Sequence, residues 1–371
     1  MGCNDDCKSV KYDWTIRLLV QTGLALTVLI MGIAEVSAQV DTNDVFRLVV
    51  APATAENPRN SESDIIELRN GRLLLGWTEF YASDGADDGA ARIVGRISDD
   101  GGRTWGDKYT LVENDGKCNV MEVNFLRLKS GAIALFHLQK NVEVGGKETP
   151  DCSVMFRTSL DEGRTFGLAK QLTGEKRYIE TASGRALRLK TGRILVECDD
   201  METAFCLISD DDGATWREGN HVKPTSGRCW EPAAVERSDG RVLMFLRTRL
   251  GGQYQAISED GGETWGEATL TALRGTAAPI SIEHIPKTGD LLAVWNNDIG
   301  SSRARRPLTS AVSHDDGKTW EHFRNVADAA GDAFAYPSVT FVDDRALLTY
   351  FNYQGGISLF LQDIPVTWFY E

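Results

Sequence analysis

Along most of its length the chain alternates short apolar runs with tight polar turns. One pairing recurs, a turn signal followed by an apolar run: NGRLLLGW at Asn70, SGAIALFH at Ser130 and TGRILVEC at Thr191. It returns as DGRVLMFL at Asp239, TGDLLAVW at Thr288 and, without its glycine, DDRALLTY at Asp343. Each predicts a hairpin turn feeding a buried strand, because Gly or Asp supplies the positive-φ positions that such turns need. The runs are apolar at nearly every position rather than at alternate ones, as expected of strands covered on both faces.

A second pattern alternates with the first. Ser-x-Asp-x-Gly-x-Thr, closed by Trp or Phe, begins at Ser98, Ser159, Ser209, Ser258 and Ser313, with gaps of 61, 50, 49 and 55 residues. Repeats of this length point to propellers, solenoids or arrays. Six hairpins over the residues after position 38 give about 55 residues per unit, which suits a four-stranded blade. The prediction is an all-β fold, a six-bladed β-propeller of four-stranded antiparallel blades, as one domain spanning 39–371. Segment 45–50 (VFRLVV) precedes the first hairpin and is expected to complete the last blade, closing the ring. The Asp and Ser of the second pattern can bond the backbone of their own turn while the aromatic fills the gap between strands. Those Asp residues are therefore read as structural.

Composition narrows the partners. A formal net charge of -14 argues against nucleic acid or an anionic membrane surface as the main partner. It leaves room for an anionic substrate, since a local cluster of Arg outweighs the distant field at contact. Residues 1–38 read as an export signal: Lys8, Lys11 and Arg17, then an apolar stretch over 18–33, then a small-residue cleavage site at Val36-Ser37-Ala38. A secreted or periplasmic protein with no obligate membrane partner is expected, or a membrane-anchored one if the signal is retained. Of seven Cys, Cys3 and Cys7 fall in that signal. The five others are an odd number and include no C-x-x-C pair, which argues against zinc. Cys198 and Cys206 flank a short loop, where a disulfide and two buried thiols are both open readings.

The five Ser-x-Asp-x-Gly-x-Thr motifs resemble the Asp-boxes, or bacterial neuraminidase repeats, of the sialidase superfamily, over essentially the whole chain after the signal. The resemblance implies an exo-acting glycoside hydrolase that releases a terminal acidic sugar, sialic acid first among candidates, by a retaining Tyr-nucleophile mechanism. It implies a glycan as the substrate partner, no cofactor and no metal. Three Arg would clamp the sugar carboxylate, because planar guanidinium groups bind carboxylates bidentately. Arg59 in PRNSE, Arg247 in MFLRTR and Arg306 in RRPLTSAVS occupy the matching places. Tyr336 in AYPSV would be the nucleophile, a neutral side chain suited to an anomeric centre that bears a carboxylate. Glu231 in WEPAAVE would activate it. Asp87, in the loop SDGADDGAA, would be the acid/base, with Asp84 and Asp88 as neighbours of equal standing.

The chain departs from the superfamily pattern at Arg59, which is followed by Asn60-Ser61-Glu62 instead of Ile-Pro. Glu62 is read as either a partner of Arg59 or a substrate contact, and Asp88 as a further substrate contact. Glu122, Glu197, Asp199 and Asp200 cluster around the second and third blades, as a rim of the same mouth or as loop charges. Two alternatives follow: a sialidase-like hydrolase of another acidic glycan, or a non-catalytic propeller that binds glycan or protein.

Overall fold

The structure, a computed structural model, describes residues 45–371 apart from 143–144, 146–147, 175, 299–304 and 354. The expected export signal, with Cys3 and Cys7, lies outside the described residues. Within them six four-stranded antiparallel sheets follow one another, the six blades of a propeller. Five blades use consecutive strands. The sixth takes its outermost strand, Phe46–Ala51, from the start of the described chain and pairs it with Ser358–Pro365, which closes the ring as segment 45–50 suggested.

Each predicted apolar run is the second strand of a blade: Leu73–Phe80, Ile133–Val142, Ile194–Asp199, Val242–Arg247, Leu291–Asn296 and Arg345–Asn352. Five hairpins place Gly71, Gly131, Gly192, Gly240 or Gly289 at positive φ, and in the sixth Asp343 takes that conformation at 54°. The first run shows why successive positions, Leu73 to Leu75, are apolar. Leu73 and Leu75 pack with Leu347 and Leu361 of blade 6, while Leu74 packs with Val120 and Ile133 of blade 2. Alternate side chains thus serve opposite neighbours, each fully buried Leu contributing about 2 kcal/mol.

All five Asp motifs are turns between the third and fourth strands. In the first, Ser98 Oγ accepts from Gly102 N–H (2.8 Å), and Asp100 accepts from Thr104 N–H (2.8 Å), Thr104 Oγ1 (2.6 Å) and Ser98 Oγ (2.9 Å). The glycine also permits close packing, for a Cβ on Gly317 would stand 2.7 Å from Leu243 Cδ2 of the preceding blade. Cys198 and Cys206 are free thiols. Cys198 lies opposite Phe205 and Cys206 opposite Glu197, one step out of register, so the thiols enter different core clusters on opposite faces of the sheet.

Candidate active site

An antiparallel blade has two ends. The first-to-second hairpins and the Asp-box turns share one. The starts of the first strands, the second-to-third loops and the arrivals from the preceding blade share the other, and every predicted site residue belongs to that second end.

Four first strands carry a bulge there. In Arg59–Glu67, Asn119–Arg127, Trp230–Glu236 and Phe334–Val342 the pairing with the second strand slips by one or more residues. The slipped residues Glu62, Glu122, Glu231 and Tyr336 hold φ of 40°, 64°, 43° and 54°. Such a conformation costs a non-glycine residue on the order of 1 kcal/mol, and bulges re-aim side chains. Neighbouring blades hold two of these bulges in place. Thr78 Oγ1 accepts from Glu122 N–H (3.0 Å) and Asp199 Oδ2 from Glu231 N–H (2.8 Å).

The bulges open onto a cavity of about 220 Å³ lined by Arg59, Asp87, Glu231, Arg247, Arg305 and Tyr336, among others. Tyr336 Oη donates to Glu231 Oε1 at 2.5 Å, and Arg247 Nη1 bonds the other carboxylate oxygen, Oε2. Burial, then the Glu231 charge, pushes the Tyr336 hydroxyl well above its usual range, so the resting phenol keeps its proton and gives a hydrogen bond to Glu231. Arg247 is backed by the Trp230 ring, 5.2 Å from its Cζ.

Across the mouth, Arg59 lies 4.3 Å from the Phe80 ring centre and is held on three sides. Its Nη2 bonds Glu62 Oε1 (2.6 Å), Nε bonds Ser61 Oγ (2.8 Å) and Nη1 bonds Asp87 Oδ1 (2.5 Å). Asn119 Nδ2 fixes the Asp87 loop by donating to the carbonyls of Asp87 and Gly89, both at 2.9 Å. The Asp87 side chain is largely exposed at the mouth, where partial desolvation works to raise its carboxyl, but Arg59, with Lys140 and Arg305 beyond it, prevails and holds it below the usual carboxylate range.

Three expected placements are corrected. Arg306 is exposed and does not line the cavity; Arg305 does, its Cζ 5.6 Å from the Tyr336 ring and its Nη1 2.5 Å from Tyr353 Oη. Glu62 is buried against Arg59 and Ser61 and is not part of the cavity lining, so the structure places it as a partner of Arg59. Asp88 is exposed off the cavity lining, and Asp84 accepts from Ala86 N–H in its own turn (3.0 Å), so of the three loop carboxylates Asp87 alone lines the cavity.

The second acidic cluster divides. Glu122 lines the cavity and accepts from Ser183 Oγ (2.6 Å). Burial, then the Glu62 charge, pushes its carboxyl well up, and burial followed by Glu180 does the same to Asp199. Both shifts favour the uncharged form and so weaken the repulsion that an anion would meet there. Glu197 lies deep in the core, and Asp200 accepts from Thr203 in a turn. The sequence reading missed Lys140, Tyr178 and Glu180, which line the wall from blades 2 and 3. Lys140 is the eighth residue of the long strand Ile133–Val142, and no local signal distinguishes it.

The profile of a family described as BNR repeat-like domain matches residues 57–349. The chain is 28% identical over 273 residues to a sialidase of Micromonospora viridifaciens, a match that covers 62% of this chain and 41% of that protein. The chain thus spans about two fifths of that relative's length. Among solved structures, one of unknown function from Dyadobacter fermentans superposes with a TM-score of 0.70 at 20% identity, covering 86% of this chain and 99% of that one. Trypanosoma rangeli sialidase, in complex with 2,3-difluorosialic acid as a covalent intermediate, superposes with a TM-score of 0.69 at 15% identity, covering 86% and 59%. At these identities the structural matches show the fold.

Proposed function

The chain belongs to the BNR repeat-like domain family, and on that footing we propose that its cavity is the active site of an exo-acting, retaining glycosidase for a terminal acidic sugar, sialic acid first. One observation carries the proposal. A half-buried tyrosine bonded to a glutamate at 2.5 Å, with that glutamate bound to an arginine, stands in a cavity that two further arginines enter.

The chemistry follows from the partners. The substrate carboxylate takes the guanidinium groups of Arg59, Arg247 and Arg305. Asp87 loses its hold on Arg59 Nη1, its strongest counter-charge, and its affinity for a proton rises. Protonated, it stands at the mouth to give that proton to the leaving glycosidic oxygen. Tyr336 passes its proton to Glu231 as its oxygen bonds the anomeric carbon and the glycosidic C–O bond breaks. Water, deprotonated by Asp87, then displaces Tyr336, which recovers its proton from Glu231. A carboxylate nucleophile would meet repulsion from the sugar's own carboxylate, whereas a phenol approaches uncharged.

Lys140 and Glu180, 3.9 Å apart on the cavity wall, favour a second reading, in which another acidic sugar with polar groups on that side is the substrate. The test is hydrolysis of a panel of fluorogenic acidic glycosides, sialosides and uronides included, by the chain and by Tyr336→Phe. Sialoside turnover falling at least ~10³-fold in the variant, with an unchanged melting temperature, is the expected result. Turnover of a uronide alone selects the second reading. Near-normal turnover by Tyr336→Phe removes tyrosine from the chemistry.

A further inference from the structure

At the opposite end of the propeller, away from the cavity, the fifth Asp-box differs from the other four. The residue after its aromatic is Glu321, where they have Gly106, Gly167, Arg217 and Gly266; the next is His322, where they have Asp107, Leu168, Glu218 and Glu267. Its second position is His314, where they have Asp99, Leu160, Asp210 and Glu259. The turn geometry brings these positions together. In the third box the corresponding pair, Asp210 and Arg217, forms an ion pair of 2.7 Å. In the fifth, one ligand atom from each of His314, Glu321 and His322 lies within 4.8 Å of the others.

From this we infer that His314, Glu321 and His322 form a binding site for a divalent transition-metal ion, Zn2+ by preference. Two features make the cluster more than a chance meeting of side chains. The strand Glu321–Ala327 is bulged at its start: Val312 pairs with Glu321 and Ser310 with Arg324, so two residues oppose Ala311, and His322 sits at φ 54°. In a regular strand consecutive side chains face opposite ways, and the bulge lets Glu321 and His322 converge. The second feature lies behind the ring of His314. Its Nδ1 is 3.0 Å from Asp290 Oδ1, while Asp290 Oδ2 accepts from Tyr370 Oη at 2.7 Å. A carboxylate on one imidazole nitrogen orients the ring and raises the basicity of the other, the usual outer-shell support of a metal-bound histidine. By contrast, His137, His221 and His284 each have both ring nitrogens in protein hydrogen bonds.

Two imidazoles and a carboxylate suit Zn2+ over Mg2+ or Ca2+, with water in the fourth position of an exposed site. The Tyr370 ring packs on both histidines, with centroids 5.9 and 5.8 Å away, and belongs to the C-terminal 310 helix Val366–Tyr370. The ion would therefore fix the third-to-fourth turn of blade 5 against the bulged start of its last strand, beneath the Tyr370 ring, and stabilise the fold without touching the cavity.

The test is optical titration of the metal-free chain with Co2+, followed by displacement with Zn2+, for the wild type, His314→Ala/His322→Ala and Glu321→Gln. One Co2+ per chain is expected, with the visible bands of a four-coordinate ion, released by one equivalent of Zn2+. Affinity should fall at least ~10-fold in Glu321→Gln and further in the double variant. Zn2+ should raise the melting temperature of the wild type and leave that of the double variant unchanged. Absence of saturable binding by the wild type overturns the site. So does equal affinity in the double variant, or a thiolate charge-transfer band in place of the histidine spectrum.

Discussion

Arg305 and Arg306 differ by one position and have opposite fates. The sequence RARRP offers no parity signal, because which of two neighbours faces inward depends on the register of the strand they lead into, Leu308–Ser313, and on the bond from Phe334 N–H to the Arg305 carbonyl (2.7 Å). The resemblance pointed to Arg306, whereas in the structure its neighbour Arg305 lines the cavity. Arg305→Ala is accordingly expected to lower kcat/KM for a sialoside ~10–100-fold, the worth of a charge-assisted bond to a carboxylate. Arg306→Ala should stay within about twofold, as exposed charges usually do. Parallel kinetics of the two variants check this, and the reverse ranking would hand the clamp to Arg306. Glu62 shows the same limit. Its sequence position left open whether it met Arg59 or a substrate, and only its bulged, buried conformation decides for Arg59.

Bulged first strands are the elements that build the site, and they leave a trace in the sequence. Glu62, Glu122 and Glu231 each stand nine residues before a hairpin glycine: Gly71, Gly131 and Gly240. That spacing marks the bulged position at the start of a first strand and sets Glu122 apart from the loop charges around it. First strands also join blades through buried polar groups. Asp64 of blade 1 accepts from Ile65 N–H and from Phe125 N–H of blade 2, both at 2.8 Å, and from Ser338 Oγ of blade 6 at 3.4 Å. Burial, opposed by those bonds, pushes its carboxyl up to about 7. An unfolded Asp titrates near 3.9. Between the two values the native chain holds a proton that the unfolded chain has lost, so this contribution is complete below about 4 and declines as pH rises to about 7. Asp64→Asn lacks that titration. From pH 4.5 to 7.5 the wild type should lose on the order of 5 °C in melting temperature relative to the variant. Parallel curves in thermal melts would show that Asp64 is ionised throughout.

At the scale of the whole molecule, the sequence made the fold legible because it states the fold six times. Leu73, Leu74 and Leu75 are apolar because two neighbouring blades cover them, and the same demand recurs in every blade. The site is stated once. It takes Arg59 and Asp87 from blade 1, Glu122 and Lys140 from blade 2, Glu231 and Arg247 from blade 4, Arg305 from blade 5 and Tyr336 from blade 6. No repeat advertises that set, so the residues found were those a known motif could place, and Lys140 and Glu180 were missed. The acidic chain nevertheless gathers three Arg and a Lys at one mouth, while burial pushes the Glu122 and Asp199 carboxyls up beside them. On the proposed function, this local field is what would receive an anionic sugar despite the net charge of -14. The most direct test of that account is to incubate the chain with 2,3-difluorosialic acid and map the modified peptide by mass spectrometry. One sugar per chain, carried on Tyr336 and absent from Tyr336→Phe, is the result the account requires. A sugar on Asp87 or Glu231, or an unmodified chain after prolonged incubation, would contradict it.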